Sequence, residues 1–421
     1  MPEKGDERTT TFCQEQQPDL RITAVQNELL ESSAAARRVA PRLPQELIEQ
    51  IIDELYSDLE ALQACSLTAS AWLPRSRRHL FNSLSLHPDN YATIEERFST
   101  ASLSSYIHRL WISCGGRNED EVPIPRDEEL TVSVLSCFHK VSQMELHNMR
   151  WDNLRFDVQD YFATRYTSLT IFDLYDVEFQ NLDDLLRLVR GFYNVHSLQL
   201  RKVWWETETD PPTIVPSPPL HLRELMVYET SSSASFIIGL FGTTHPENLQ
   251  RIAVDWGDGD DLAILDDFVQ SAGPSLRTLE VDLSWHAPLA PLDLRLNTDL
   301  RDVWLDGLLL DEPNSPAAFQ PTWIPSLLNS ITSPCMIEVV FYIFLGNLDG
   351  LKLLDMEQLD RIFSGPRFRN MKVIGFMLVI LPHPDWRLPS RSDVQEIIRQ
   401  RMPRTNARGL LRFRSHELLI L

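Results

Sequence analysis

Apolar residues fall in two rhythms along the chain, and the change between them comes near Leu86. Upstream, Leu47, Ile48, Ile51, Ile52 and Leu55 recur at i, i+1, i+4, i+5 and i+8, the stripe of a helix buried along one wide face. Pro44 suits its first turn, where a missing N–H costs nothing, and Glu46 and Glu49 favour the positive end of its dipole. Asp58 is placed to cap a second short helix carrying Leu59, Leu62 and Cys65. Ser66–Ser70 read as a break, and Trp72, Leu73, Leu80 and Phe81 predict a third helix ending near Asn82. Three helices in so short a stretch make a very small core, so this unit is expected to dock on something.

Beyond Leu86 the motif apolar-x-x-apolar-x-apolar recurs. It reads Ile107/Leu110/Ile112, Val141/Met144/Leu146, Leu169/Phe172/Leu174, Val195/Leu198/Leu200, Leu222/Leu225/Val227, Leu249/Ile252/Val254, Leu276/Leu279/Val281 and Leu300/Val303/Leu305. Weaker copies are Ile337/Val340/Tyr342, Met371/Ile374/Phe376 and Arg408/Leu411/Phe413. From Met144 to Val303 the middle positions step by 28, 26, 27, 27, 27 and 24 residues, a period similar to that of leucine-rich repeats. The x-apolar-x-apolar core predicts a short strand with alternate residues inward, and the remainder of each repeat returns as helix or irregular chain. Asp183–Phe192 and Asp261–Gln270 carry the apolar spacing of such return helices. Neither element can bury its apolar face alone, so neighbours must stack. Where regular leucine-rich repeats place Asn or Cys, three residues past the strand, this chain has Gly115, Met149, Val177, Val203, Thr230, Gly257, Ser284 and Leu308. The fold class expected is therefore α/β: a three-helix unit over 41–86, then an irregular repeat solenoid of short parallel strands and helices over 98–421. Residues 1–40 form a polar, mobile lead-in with a possible short helix around Ala24–Ala36.

Charge narrows the partners. Sixty acidic residues against 39 basic ones give a net charge of −21, which disfavours nucleic acid and anionic membranes. The basic residues gather toward the C-terminus, where Arg399, Arg401, Arg404, Arg408, Arg412 and Arg414 are expected to form the solvated face of a capping helix or to meet an acidic partner. Only five cations are Lys. No apolar run resembles a signal peptide or a membrane span, and the five cysteines are scattered and odd in number. A reducing cytoplasm or nucleus fits that usage, with no disulfide framework, metal site or cofactor expected.

Catalytic signatures are missing from the sequence: no phosphate loop, no HExxH, no GxSxG and no kinase set. Two clusters are candidates for binding a protein substrate. Trp204 and Trp205 precede the Pro-rich stretch Pro211–Pro219, and aromatic anchors on a stiff loop suit a contact surface. Asp255 and Asp258 lie in an acidic turn past a repeat strand; its third and fifth places are Gly257 and Gly259, which excludes a calcium loop and leaves a solvated turn or an acidic spot for a basic substrate.

The segment from Leu43 to Leu86 resembles an F-box: Leu43-Pro44, then Glu46-Leu47-Ile48, Ile51-Ile52 and Leu55 on an amphipathic helix, Leu62 on an apolar one, and Cys65-Ser66 leading to Trp72. Pro74-Arg75 early in the third helix departs from the pattern. An F-box followed by leucine-rich-like repeats resembles a divergent group of such proteins in filamentous fungi. The resemblance implies a non-catalytic substrate-receptor subunit of a Skp–cullin–F-box ubiquitin ligase. It implies a Skp adaptor, and through it a cullin, as partners, with an unidentified protein substrate on the repeats. On this reading Leu43, Pro44, Leu47, Ile48, Ile51, Leu62 and Trp72 contact the adaptor. The alternative is a repeat scaffold whose F-box no longer binds it.

Overall fold

The computed structural model describes residues 43–98, 101–114, 130–207, 220–242, 246–255, 262–282, 292–310, 321–380 and 390–415. The expected lead-in over 1–40, the Pro-rich stretch Pro211–Pro219 and Asp258 lie outside the described residues. The chain divides into two compact units, Met1–Arg75 and Ser76–Leu421.

The first unit holds helices α1 (Gln45–Glu54) and α2 (Leu59–Thr68), and the boundary falls within α3 (Leu73–Leu80). Pro44 stands just before α1, and its carbonyl accepts the Leu47 and Ile48 amides at 3.1 and 3.2 Å. Asp58 caps α2 through the Ala61 amide at 2.9 Å. The expected break at Ser66–Ser70 comes later: the helix continues to Thr68, with the Ser66 and Thr68 hydroxyls absorbed by the Gln63 and Ala64 carbonyls, each at 2.7 Å. Pro74 is the second residue of α3, where a proline interrupts nothing, and Arg75 grips Asp53 of α1 with both Nε and Nη2.

The second unit is built on a single parallel sheet. Its strands are β1 (Ser83–Leu86), β2 (Arg109–Ser113), β3 (Gln143–Arg150), β4 (Ile171–Asn181), β5 (Ser197–Thr207) and β6 (Glu224–Tyr228). They continue as β7 (Arg251–Asp255), β8 (Thr278–Asp282), β9 (Asp302–Leu310), β10 (Glu338–Leu345), β11 (Val373–Ile380) and β12 (Leu411–Ser415). Spatial order follows chain order throughout. The returning helices are α4 (Tyr91–Phe98), α5 (Val132–Ser136), α6 (Phe156–Arg165), α7 (Leu182–Arg190), α8 (Ser233–Phe241) and α9 (Leu262–Ala272), then α10 (Ile324–Ser330), α11 (Met356–Phe363), α12 (Arg391–Arg401) and α13 (Pro403–Ala407).

Register follows the repeat. Leu110, Met144, Phe172, Leu198, Leu225, Ile252, Leu279, Val303, Val339 and Ile374 stand side by side on adjacent strands, all at most 1% exposed. Two positions along, the row ends in a stack of rings: Phe341 on Phe376 at 5.3 Å and Phe376 on Phe413 at 5.8 Å. Together with the helices these rows form one continuous core.

Three features differ from the sequence expectation. The ninth copy is Met336/Val339/Phe341, one residue earlier than Ile337/Val340/Tyr342, since Val339 pairs with Val303 and Phe341 with Leu305. A one-residue slip exchanges the two faces of a strand, and the unbroken apolar run Val339–Leu345 lacks the alternation that would have set it. The array also starts earlier than residue 98, because Leu84 and Leu86 of β1 align with Leu110 and Ile112 of β2. Third, the missing Asn ladder has a replacement. Asn148, Asp176, Lys202, Glu229 and Gly307, equivalent positions of their repeats, take left-handed backbone with φ between 48° and 71°. In β3, β4 and β5 the chain turns there and keeps pairing, so Met149, Val177 and Val203 form a second buried row instead of an amide ladder. Strands β10 and β11 stay in step over their whole length, and the register shift between β9 and β10, at Gly307, joins kinked strands to straight ones.

The C-terminal arginines are more tied in than a solvated face requires. Arg408 donates to the Phe363 and Phe368 carbonyls at 2.6 and 3.0 Å, Arg401 to Leu351 at 3.3 Å, and Arg399 lies over the Phe413 ring at 4.9 Å. Asp360 of α11, only 4% exposed, accepts the Arg404 and Thr405 amides at 3.2 and 2.8 Å and pins α13 to the array.

Candidate interaction surfaces

The stripe on α1 splits in two. Ile48 and Ile52 turn inward at 4% and 1% exposure, whereas Leu47 and Ile51 are 45% and 52% exposed at i and i+4, and Leu43, two residues ahead of the helix, is 48% exposed. Pro44 is exposed, Leu62 is fully buried and Trp72 is half-buried. Of the residues expected to contact an adaptor, Leu43, Pro44, Leu47 and Ile51 are therefore presented to solvent, and Ile48 and Leu62 serve the interior. Three more exposed apolar side chains follow in the same unit: Tyr56, Leu59 and Leu67.

The substrate candidates separate as well. Trp204 is 44% exposed, next to Glu178 in register, and Glu178 pairs with Arg150 at 2.7 Å. Trp205 faces the other way at 6% exposure; its amide donates to Ser231 Oγ at 2.9 Å, so it belongs to the core. Asp255 is a stitch. One carboxylate oxygen accepts the Ser233 hydroxyl at the start of α8, at 2.7 Å, and the other accepts the Glu229 amide in the turn after β6. Burial pushes its carboxyl above the usual range despite those two bonds. With both oxygens engaged, it holds two repeats together and offers little to a substrate.

The sheet face opposite the buried rows carries a surface that the apolar spacing did not reveal. Trp111 on β2, His147 on β3 and Tyr175 on β4 form a diagonal of rings with centroids 4.6 and 5.4 Å apart. Lys202 lies over Tyr175 at 5.7 Å, and Arg201 over Tyr228 at 5.9 Å. Beside the rings, Glu145 and Asp173 face each other across β3 and β4, and Glu145 lies 3.3 Å from His147 Nε2. Burial, reinforced by the Glu145 charge and opposed by His147 and Arg201, raises the Asp173 carboxyl to about 6. The signal was present in the x positions between the apolar residues, which become informative once successive repeats are aligned.

The Asp173 shift has a stability consequence. A folded-state value of about 6 against an ordinary 3.8 means the charged form destabilises the fold at neutral pH, and this cost vanishes as pH falls through that window. Asp173→Asn is expected to be more stable than the native chain at pH 7.5 by about 1–2 kcal/mol, allowing for solvent screening. Denaturant titrations at pH 7.5 and 4 check this; an equal or larger difference at pH 4 contradicts the assignment.

Among the described residues, no group of three or more His, Cys, Asp or Glu is arranged to hold a metal ion, and no helix is long and apolar enough to cross a membrane.

Twelve parallel strands in chain order, with helices returning between them and the same apolar positions buried in each repeat, define an α/β solenoid of the leucine-rich-repeat type. Three solved structures are similar to the chain. The leucine-rich repeat-containing protein LegL7 from Legionella pneumophila is 16% identical, with TM-score 0.34, over 76% of this chain and 90% of that one. The Rad7 and Elc1 complex in yeast gives 13% identity and TM-score 0.39 over 88% and 95%. The Leptospira interrogans LRR protein LIC12759 gives 10% identity and TM-score 0.30 over 79% and 100%. No protein-family profile and no curated protein matches the sequence.

Proposed function

We propose that this chain is the substrate-receptor subunit of a Skp–cullin–F-box ubiquitin ligase. Its N-terminal helical unit docks on the Skp adaptor, and its repeat sheet holds the protein to be ubiquitylated. The observation that carries the reading is the apolar strip Leu43, Leu47 and Ile51, exposed on a unit whose motif resembles an F-box. A unit this small gains nothing from leaving three large apolar side chains in water, and a partner groove that takes Leu47 and Ile51 as i, i+4 anchors, with Leu43 just ahead of the helix, supplies the missing burial. The departure at Pro74-Arg75 is no obstacle, since Pro74 sits in the first turn of α3 and Arg75 braces α1 through Asp53. The chain itself performs no chemistry in this role; it contributes proximity between substrate and a ubiquitin-charged enzyme.

Affinity purification of the full chain followed by mass spectrometry tests the reading. The native protein is expected to recover a Skp adaptor and a cullin, and a Leu43→Ala/Pro44→Ala variant to lose both together. Recovery of neither by the native chain contradicts it.

A further inference from the structure

The exposed sheet face has chemistry that the ligase reading does not specify. Ahead of the left-handed kinks, among the described residues, the outward positions of β2 to β9 carry eight carboxylates, Glu145, Asp173, Glu224, Asp255, Glu280, Asp282, Asp302 and Asp306; past the kinks Arg150 pairs with Glu178 and Glu206. Against those eight stand three arginines: Arg109, Arg201 and Arg251. Asp282 and Asp306 stand directly across from each other on β8 and β9, continuing the row of Asp255, whose own oxygens are taken by Ser233 and the Glu229 amide. Like charges directly across a strand pair repel, so this face is kept at a cost in stability that a cationic ligand would relieve. Trp111, 48% exposed, opens the ring diagonal at the β2 end and is next to Glu145 in register. An exposed indole beside a carboxylate suits a guanidinium, which stacks on the ring while its edge pairs with the oxygens.

We propose that this face binds a basic, extended segment of a partner protein, with an arginine stacked on Trp111 and paired with Glu145. The inference rests on the sheet being the partner-holding domain of the proposed receptor, and it names the chemistry of what is held. The acidity of the face chooses the occupant: an acidic or phosphorylated segment would meet eight carboxylates, and a neutral apolar one would strip water from them without supplying a countercharge. Asp173 and Glu145 are the charges most committed to it, as adjacent carboxylates whose mutual repulsion nothing on their own strands relieves fully.

Fluorescence anisotropy of the full chain with labelled octa-arginine and octa-lysine peptides, at about 0.15 M salt, tests the proposal. Octa-arginine is expected to bind roughly threefold or more tighter than octa-lysine, because only a guanidinium stacks well on the indole. Trp111→Ala is expected to weaken octa-arginine binding roughly fivefold and to erase that preference. Glu145→Gln/Asp173→Asn is expected to weaken it roughly tenfold with the circular dichroism unchanged. Asp183→Asn/Asp267→Asn/Glu357→Gln, which neutralises three exposed carboxylates on α7, α9 and α11, is expected to change binding less than about twofold. Equal losses from the helix and sheet variants would mean attraction to the net charge alone and would overturn the proposal, as would no measurable binding or native affinity in Trp111→Ala. Adaptor capture is read on the same proteins. Lost peptide binding with capture intact removes only this inference, whereas lost capture with peptide binding intact removes only the ligase reading.

Discussion

Gly191→Ala is expected to destabilise the repeat unit more than any other single methyl group added to it. Gly191 follows the last residue of α7 and at first sight resembles a helix-ending glycine in left-handed backbone. Its φ of −64° and ψ of −20° are ordinary right-handed values, so conformational freedom is not the reason for it. Space is. A Cβ there would stand 2.0 Å from the Ala163 carbonyl oxygen and 2.8 Å from its carbonyl carbon, inside α6. Backbone cannot swing aside as a flexible side chain can, so α6 and α7 must separate, and with them the buried Phe162, Leu185, Leu188 and Phe192. The expected loss is about 3 kcal/mol or more, a fall in Tm of roughly 5 °C, read by calorimetry on the full chain. Adding Ala163→Gly is expected to recover little, since the obstructing atom is main-chain oxygen and not the Ala163 methyl. Full recovery in the double variant would contradict the explanation.

Leu47→Asp/Ile51→Asp is expected to abolish adaptor binding while leaving the fold intact. Both side chains are about half exposed, so an aspartate at either place meets water in the free protein. Burying a leucine-sized side chain contributes roughly 1.5–3 kcal/mol, and a carboxylate carried into an apolar groove adds a desolvation cost. Two such changes amount to a loss of at least about 100-fold in affinity, measured with purified Skp adaptor by calorimetry. The pair Ile48→Asp/Ile52→Asp is the informative contrast: those residues are buried, so the variant is expected to unfold the helical unit, which circular dichroism separates from a surface effect.

What could be read in advance divides along physical lines. The strands from β2 to β9 were legible because alternate burial at a fixed period leaves an apolar imprint that no other architecture produces at that spacing. At β10 the imprint blurred, because Val340, Tyr342 and Phe344 make the second face apolar too, with Val340 buried, and period-two alternation disappears. β1 was hidden by Phe81, which continues the apolar pattern of α3 and also begins the first repeat. The left-handed kinks at Lys202 and Glu229 gave no warning: Asn148, Asp176 and Gly307 are residue types that tolerate such backbone, whereas Lys202 is held there by strand pairing on either side and Glu229 by the Asp255 carboxylate on its amide. On the helical unit, sequence spacing gave the stripe but not which half of it faced inward, so Ile48 was grouped with Leu47. The Trp111–His147–Tyr175 diagonal arises from three different repeats, 36 and 28 residues apart, and exists only after they stack.

Docking of the helical unit on an adaptor is what separates a ligase subunit from a repeat scaffold. Titrating the full native chain with purified Skp adaptor, by isothermal calorimetry at about 0.15 M salt, measures this directly. The expected result is one adaptor bound per chain with a Kd of about 1 μM or tighter and a negative heat-capacity change, the mark of apolar surface leaving water. No heat and no co-elution at adaptor concentrations of about 50 μM, from a chain whose circular dichroism is native, would contradict it and leave a repeat scaffold with an F-box-like end.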